Sequence, residues 1–235
     1  MVTKSMKSLF DKRGEEETVV TMCGLDQAGK TTILQYIQTG EHTAPRRTLG
    51  FSINSLTIQN MQFKVQDLGG QFQFRESWAS HLRYSNIVIY VIEASNRERF
   101  SESRNEMSKV LTNMAPKAKL LVLCHKQDVE NAAKKEEIVK FFQLENLGME
   151  WSVMETSAIT GQGLRDMVVW LYEIATGKKL RKHKYNVPVR CYEQKKFMCV
   201  LKQVEECTKE GYDSCYLCDH ANCQNCDNVS PDCFM

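Results

Sequence analysis

Through residues 1–177, apolar runs of strand length alternate with stretches of helical period. Thr18-Val19-Val20-Thr21-Met22-Cys23 is closed by Gly24, and this pattern predicts a buried strand feeding a Gly-rich turn. A helical pattern begins at Lys30. Residues 51–58 and 61–67 read as two strands joined by Gln59-Asn60, a hairpin by spacing. Residues 87–92, 120–124 and 151–156 read as three more buried strands. Helical patterns over 99–112, 136–143 and 164–175 separate them, and the last sets Leu164, Val168, Leu171 and Ala175 along one face. Alternation of this kind predicts an α/β fold with a mostly parallel six-stranded sheet and helices on both faces. Ligands of such sheets bind beyond the carboxyl ends of the strands.

Composition narrows the class. The chain has 235 residues with 31 basic and 29 acidic side chains, a balance that argues against a dedicated nucleic-acid binder. The longest apolar run, 87–92, is far short of the ~20 residues that span a bilayer. Lys4, Lys7 and Asp11-Lys12-Arg13 interrupt any apolar leader. A protein of the cytoplasm is expected, neither secreted nor transmembrane. Its 10 cysteines are unevenly placed: Cys23 and Cys124 fall in strand-like runs, and the other eight follow residue 190.

The strongest chemical signal is Gly24-Leu25-Asp26-Gln27-Ala28-Gly29-Lys30-Thr31, which fits GxxxxGK[ST] between a strand and a helix. Glycines let successive backbone N–H groups and a helix N-terminus surround a phosphate. Gly24, Asp26, Gln27, Ala28, Gly29, Lys30, Thr31 and Thr32 are therefore candidate nucleotide contacts, with Lys30 reaching the β- and γ-phosphates and Thr31 ligating Mg²⁺. Farther on, Asp67 in Asp67-Leu68-Gly69-Gly70-Gln71 can hold Mg²⁺ through water. The Gly70 N–H can touch a γ-phosphate, and Gln71 stands where a residue could orient attacking water, the candidate catalytic role. Thr48 offers a second hydroxyl to Mg²⁺. His125-Lys126-Gln127-Asp128 follows a buried strand, and Asp128 could accept from guanine N1–H and N2–H. After the last strand, Ser157 and Ala158 could offer backbone N–H to guanine O6.

Together these pieces resemble the Arf and Arf-like branch of the Ras-type small GTPases over roughly residues 1–177. The resemblance rests on GLDQAGKTT (24–32), TLGF (48–51), DLGGQ (67–71), Trp78, SNRER (95–99), HKQD (125–128) and TSA (156–158). It implies a P-loop, Ras-like fold and a GTP/GDP switch that hydrolyses GTP with Mg²⁺ in membrane traffic or organelle identity. It also implies an exchange factor, a GTPase-activating protein and effectors as partners. GTP would slide the 51–67 hairpin along the sheet and expel an amphipathic N-terminal helix toward a membrane. With no evident arginine finger in cis, intrinsic turnover is expected to be slow and raised by a partner. A weakly or non-cycling nucleotide-binding scaffold, recruiting a partner through its tail, is the alternative.

The chain departs from the family at several positions. The base-reading motif begins with His125 where the family has Asn; an imidazole N–H can make one of the two contacts but not both, and Asp128 is retained, so weakened affinity rather than lost specificity is expected, unless the imidazole simply packs or points away. Positions that form an aromatic effector cluster in the family hold Phe51, Gln66 and His81 here. Val2 stands where many members carry a myristoylated Gly. Even so, Val2, Met6, Leu9 and Phe10 fall at helical spacing with Lys4 and Lys7 between them, which suits an amphipathic helix over residues 1–16. Such a helix lies on an anionic intracellular membrane or docks on its own core.

The GTPase domain is read as 17–177. A basic linker, 178–190, follows, and then a Cys-rich extension, 191–235, that matches no family member. In it Cys215-Tyr-Leu-Cys218 is echoed by Cys223-Gln-Asn-Cys226. Two CxxC pairs suit a Cys₄ Zn²⁺ site, against which stand a disordered tail and a palmitoylation target; the short gap between the pairs tempers the zinc reading.

Overall fold

In the computed structural model, residues 17–42, 47–58 and 61–179 are described. The elements are β1 (Thr18–Cys23), α1 (Lys30–Thr39), β2 (Phe51–Ile58), β3 (Met61–Leu68), α2 (Phe72–Arg75), α3 (Trp78–Leu82), β4 (Ile87–Glu93), α4 (Phe100–Asn113), β5 (Lys119–His125), α5 (Lys135–Phe142), β6 (Trp151–Thr156) and α6 (Leu164–Thr176). Single 3₁₀ turns occupy Arg97–Arg99 and Leu144–Asn146. The strands form one six-stranded sheet in the order β2-β3-β1-β4-β5-β6, parallel throughout except for the antiparallel β2–β3 hairpin.

The central strands are apolar on both sides because helices cover both faces. Along β4, Ile87, Ile89 and Val91 turn toward α1 and α6, where Ile33, Ile37, Leu164, Val168 and Leu171 are buried with them. Val88, Tyr90 and Ile92 turn the other way, onto Trp78, Leu82, Phe100, Met107, Ile138 and Phe142. Each such side chain contributes roughly 1.5–3 kcal/mol by leaving water. The α6 stripe is wider than its expected face: Met167 and Tyr172 are also buried, while Ala175 is half-buried. Gly177, in the left-handed region, ends that helix by donating its N–H to Glu173 O at 2.9 Å.

Two short helices between β3 and β4 were not expected. They span four and five residues, too few to repeat an apolar period, and Phe72 in α2 is exposed while Trp78 and Leu82 in α3 are buried. Because β1, β3, β4, β5 and β6 are parallel, their carboxyl ends share one edge of the sheet. Cys23, Leu68, Glu93, His125 and Thr156 end there; GLDQAGKTT, DLGGQ, SNRER, HKQD and TSA lie at or just after these ends, and TLGF leads into β2, whose Phe51 pairs with Leu68 at the same edge.

Candidate functional site

A cavity of about 620 Å³ lies at that edge. Of the candidate residues, Asp26, Gln27, Gly29, Lys30, Thr31, Thr32, Thr48, Gly70, Gln71, His125, Lys126, Asp128 and Ala158 line it. Gly24, Ala28, Asp67 and Ser157 stand behind this wall as buried supports. The cysteines 215, 218, 223 and 226, the segment 1–16 and most of the basic linker lie outside the described residues.

The phosphate end is built by the strand–loop–helix unit β1–α1. Gly29, at φ 95°, caps α1 with no side-chain cap, so the first turn's N–H groups face the cavity. The Lys30 ammonium is buried and curls over the loop, donating to Gly24 O at 2.9 Å and Leu25 O at 2.7 Å. Burial lowers its pKa to about 8, against the opposing pull of Asp67. The Thr31 hydroxyl donates to Asp67 Oδ2 at 2.6 Å and lies 2.8 Å from the Thr48 hydroxyl, itself 3.4 Å from the same carboxylate oxygen. Asp67 is fully buried, and its other oxygen, Oδ1, has no hydrogen-bond partner. Burial pushes this carboxyl up, while the Thr31 hydrogen bond and the Lys30 charge oppose the shift. An orphaned carboxylate oxygen beside two hydroxyls is a hard-oxygen set that suits Mg²⁺, which takes one or two carboxylates and leaves other positions to water and phosphate.

Gly70 closes this end. A Cβ there would stand 2.3 Å from Asp26 N and from Leu25 C, so no side chain fits. Its carbonyl accepts from the Asp26 N–H at 3.1 Å and from Arg75 Nε at 2.8 Å. Gln71 follows at the cavity wall as the N-cap of α2.

The base end comes from three segments. The Ser157 hydroxyl donates to Asp128 Oδ1, which leaves the carboxylate's other lone pairs open to the cavity. Lys126, in the left-handed region at φ 65°, sends its ammonium back to Glu93 Oε1 at 2.6 Å, so its stem forms the wall. Val129 and Ile159 add apolar surface. His125 packs rather than pointing away. Its Nδ1 is 2.9 Å from Thr156 Oγ1, and a Cβ on Gly29 would stand 2.4 Å from His125 Cδ2 and 2.7 Å from Nε2. The imidazole thus braces the guanine loop against the phosphate loop. Burial, aided by Lys126 and opposed by Asp128, lowers its pKa to about 4, so it is neutral near pH 7.

Sequence reasoning missed Arg75 and Arg99, which converge on the phosphate-loop carboxylate Asp26. It also missed Arg47 and His42, which line the cavity on the approach to Thr48. No periodicity marks any of these four; SNRER contained Arg99 as part of a phrase without assigning it a partner. At the positions that match the family's aromatic cluster, Phe51 lies 4.7 Å from the His81 ring, and Gln66 bonds His81 Nδ1 at 2.7 Å, so a polar pair sits under one exposed Phe.

A mostly parallel sheet with a strand–GxxxxGKT–helix loop, a buried Asp on the adjoining strand and a second carboxylate, Asp128, across the cavity defines a Ras-like P-loop protein. The profile of the ADP-ribosylation factor family matches residues 2–175, and the chain belongs to that family of small GTPases. Solved structures share the fold. The Arl6 (BBS3) small GTPase from Trypanosoma brucei with the bound nucleotide analogue GppNp is 24% identical, with TM-score 0.62, covering 69% of this chain and 99% of its own. The mammalian SRP receptor structure is 18% identical, with TM-score 0.62, covering 66% and 99%. Among the described residues no helix is long and apolar enough to cross a membrane.

Proposed function

We propose that the cavity is a Mg²⁺-dependent guanine-nucleotide switch site and that the switch serves membrane traffic or organelle organisation. The observation that carries the reading is the meeting of Thr31, Thr48 and Asp67, with its orphaned Oδ1, at the foot of the phosphate loop. Thr31 and Thr48 would hold Mg²⁺ directly and Asp67 would hold it through water. When bound, the ion neutralises charge on the β- and γ-phosphates. Lys30 exchanges its two carbonyl partners for phosphate oxygens, and the amides of 26–31 surround them, except that of Asp26, which donates to Gly70 O. Gln71 orients a water whose oxygen bonds to the γ-phosphorus as the bond to the β–γ bridging oxygen breaks; its proton ends on phosphate. Asp128 takes guanine N1–H and N2–H, Ser157 fixes that carboxylate, and the Ala158 N–H meets O6. An exchange factor, an activating protein and effectors complete the cycle, with peripheral membrane contact through residues 1–16.

A second reading, a static weakly binding scaffold, draws on the imidazole seated against Gly29. Calorimetric titration of the nucleotide-stripped chain with GDP, GTP and ATP, each with and without Mg²⁺, separates the two. Mg²⁺-dependent binding of GDP and GTP with no heat from ATP is expected, and tight binding would show that His125 is tolerated. Weak binding, indifferent to Mg²⁺ or to the base, overturns the switch.

A further inference from the structure

We infer that Arg75 is a positioning residue for hydrolysis, holding the Gly69-Gly70-Gln71 turn on the phosphate loop. The inference rests on the switch reading above.

Arg75 belongs to the four-residue helix that follows Gln71, yet its guanidinium turns back into the protein, with a side chain only 6% exposed. Its contacts come from three separate parts of the fold. Nε donates to Gly70 O at 2.8 Å, Nη2 lies 3.4 Å from Asp26 Oδ1 in the phosphate loop, and Nη1 lies 2.8 Å from Glu102 and 3.7 Å from Glu106 on α4. The Nη1–Glu102 contact is an ion pair without hydrogen-bonding geometry, since Nη1 has no hydrogen-bond partner. A buried cation with that many acidic neighbours is anchored by charge, which leaves its Nε free to be aimed.

The aim falls on the backbone that precedes Gln71. Gly70 O accepts from Arg75 and from the Asp26 N–H together, so both of its lone pairs are engaged. Because the peptide is planar and trans, fixing that carbonyl also fixes the direction of the Gln71 N–H. The turn is held at its other joints as well: Gly69 N–H donates to Gly50 O at 2.7 Å and Trp78 Nε1 donates to Gly69 O at 3.0 Å. Arg75 differs from these in joining the turn to Asp26, a residue of the cavity wall. Arg99 shares Asp26 and Glu102 with Arg75 but makes no contact with Gly70. That contrast separates aiming from charge.

The test is single-turnover hydrolysis on GTP-loaded full chain, with GDP affinity measured in parallel, for wild type, Arg75→Lys, Arg99→Gln and Gln71→Leu. Lysine keeps the charge among Asp26, Glu102 and Glu106 but lacks the planar fork. Arg75→Lys is expected to slow hydrolysis by about 10- to 100-fold, the penalty for small misplacement of a reacting group. Its GDP affinity should stay within about threefold, and Arg99→Gln should lose less rate than Arg75→Lys. Hydrolysis by Arg75→Lys within twofold of wild type, a matched fall in rate and GDP affinity, or equal losses in the two arginine variants overturns the inference. If Gln71→Leu itself hydrolyses at the wild-type rate, the underlying switch reading fails instead. A thermal melt of each variant shows that the compared proteins are folded.

Discussion

The two ends of the cavity are built on different principles. The end proposed to take phosphate is dominated by one unbroken stretch, 24–32, whose single buried lysine lies on its own backbone carbonyls, with Asp67 and Thr48 brought alongside. The base end has no such stretch. It is assembled from the loop after β5, the loop after β6 and a strut from Glu93 at the end of β4. A phosphate is a compact charge that any curl of N–H groups can meet, whereas a base presents a flat edge that separate segments must frame. The phosphate end therefore depends on electrostatics, and the base end on register between segments. The ends meet where His125 packs on Gly29.

The sharpest way to break this contrast is at Asp67. Replacing it with Asn removes the buried charge and retains its shape. GTP affinity in Mg²⁺ should fall about a thousandfold, or ~4 kcal/mol, the scale for losing one partner of a buried ionic site. Without Mg²⁺ the loss should be small, because the orphaned Oδ1 then has nothing to bind. The metal-free variant should also melt higher than metal-free wild type, since burial of a carboxylate with one oxygen left without a hydrogen bond is costly. Calorimetry and a melt in EDTA check both statements; a Mg²⁺-independent loss would move Asp67 out of the ion site.

Next in size is the joint between the ends. His125 has an ordinary pKa of 6.5 and a folded one of about 4. As pH falls below 6.5 the unfolded chain takes up the proton and the folded chain does not, so stability declines through this window and levels off near 4. The interval from 6.5 down to about 4 corresponds to roughly 3 kcal/mol at its low-pH end. His125→Asn should flatten that part of the curve, measured as the difference in melting temperature between wild type and variant from pH 7 to pH 4. Carboxylates add their own slope. Burial pushes Asp26 up, but Arg99 and Arg75 outweigh it and hold the carboxyl low. That slope is common to both proteins and cancels in the difference. Parallel curves would show that the imidazole is not excluded from protonation in the folded state.

These same contacts show where the sequence was legible. The strands and longer helices were readable because apolar alternation and period report burial directly, and 18–23, 51–58 and 151–156 end at their expected residues. The contents of the phosphate loop were readable because the chemistry is local: glycine, lysine and threonine at fixed spacing suffice. Arg75 was not, because its partners lie at residues 26, 70, 102 and 106, and nothing in FQFR says which way the guanidinium turns. His125 was readable as a departure but not as a brace, since whether an imidazole packs or points away depends on the space above Gly29, which belongs to another strand's loop. Long-range charge pairing and steric fit leave no period in a sequence.

The smallest expected effect is at the base end, and it tests register rather than charge. Asp128 faces the cavity with one oxygen already taken by Ser157. If the remaining lone pairs accept both N1–H and N2–H, a purine lacking the exocyclic amine loses one charge-assisted hydrogen bond, about 2 kcal/mol or ~30-fold. Wild type should therefore prefer GTP over inosine triphosphate by roughly that factor. In Asp128→Asn the amide can offer its oxygen to only part of that edge, so GTP should weaken toward inosine triphosphate and the ratio should shrink to near one. Competitive displacement of a fluorescent GDP measures both ratios. A wild type that does not distinguish the two nucleotides would mean that Asp128 is turned to Ser157 alone. The base end would then be framed by packing on the Lys126 stem and Ile159, and the distinction between a charge-driven phosphate end and a register-driven base end would lose its chemical basis.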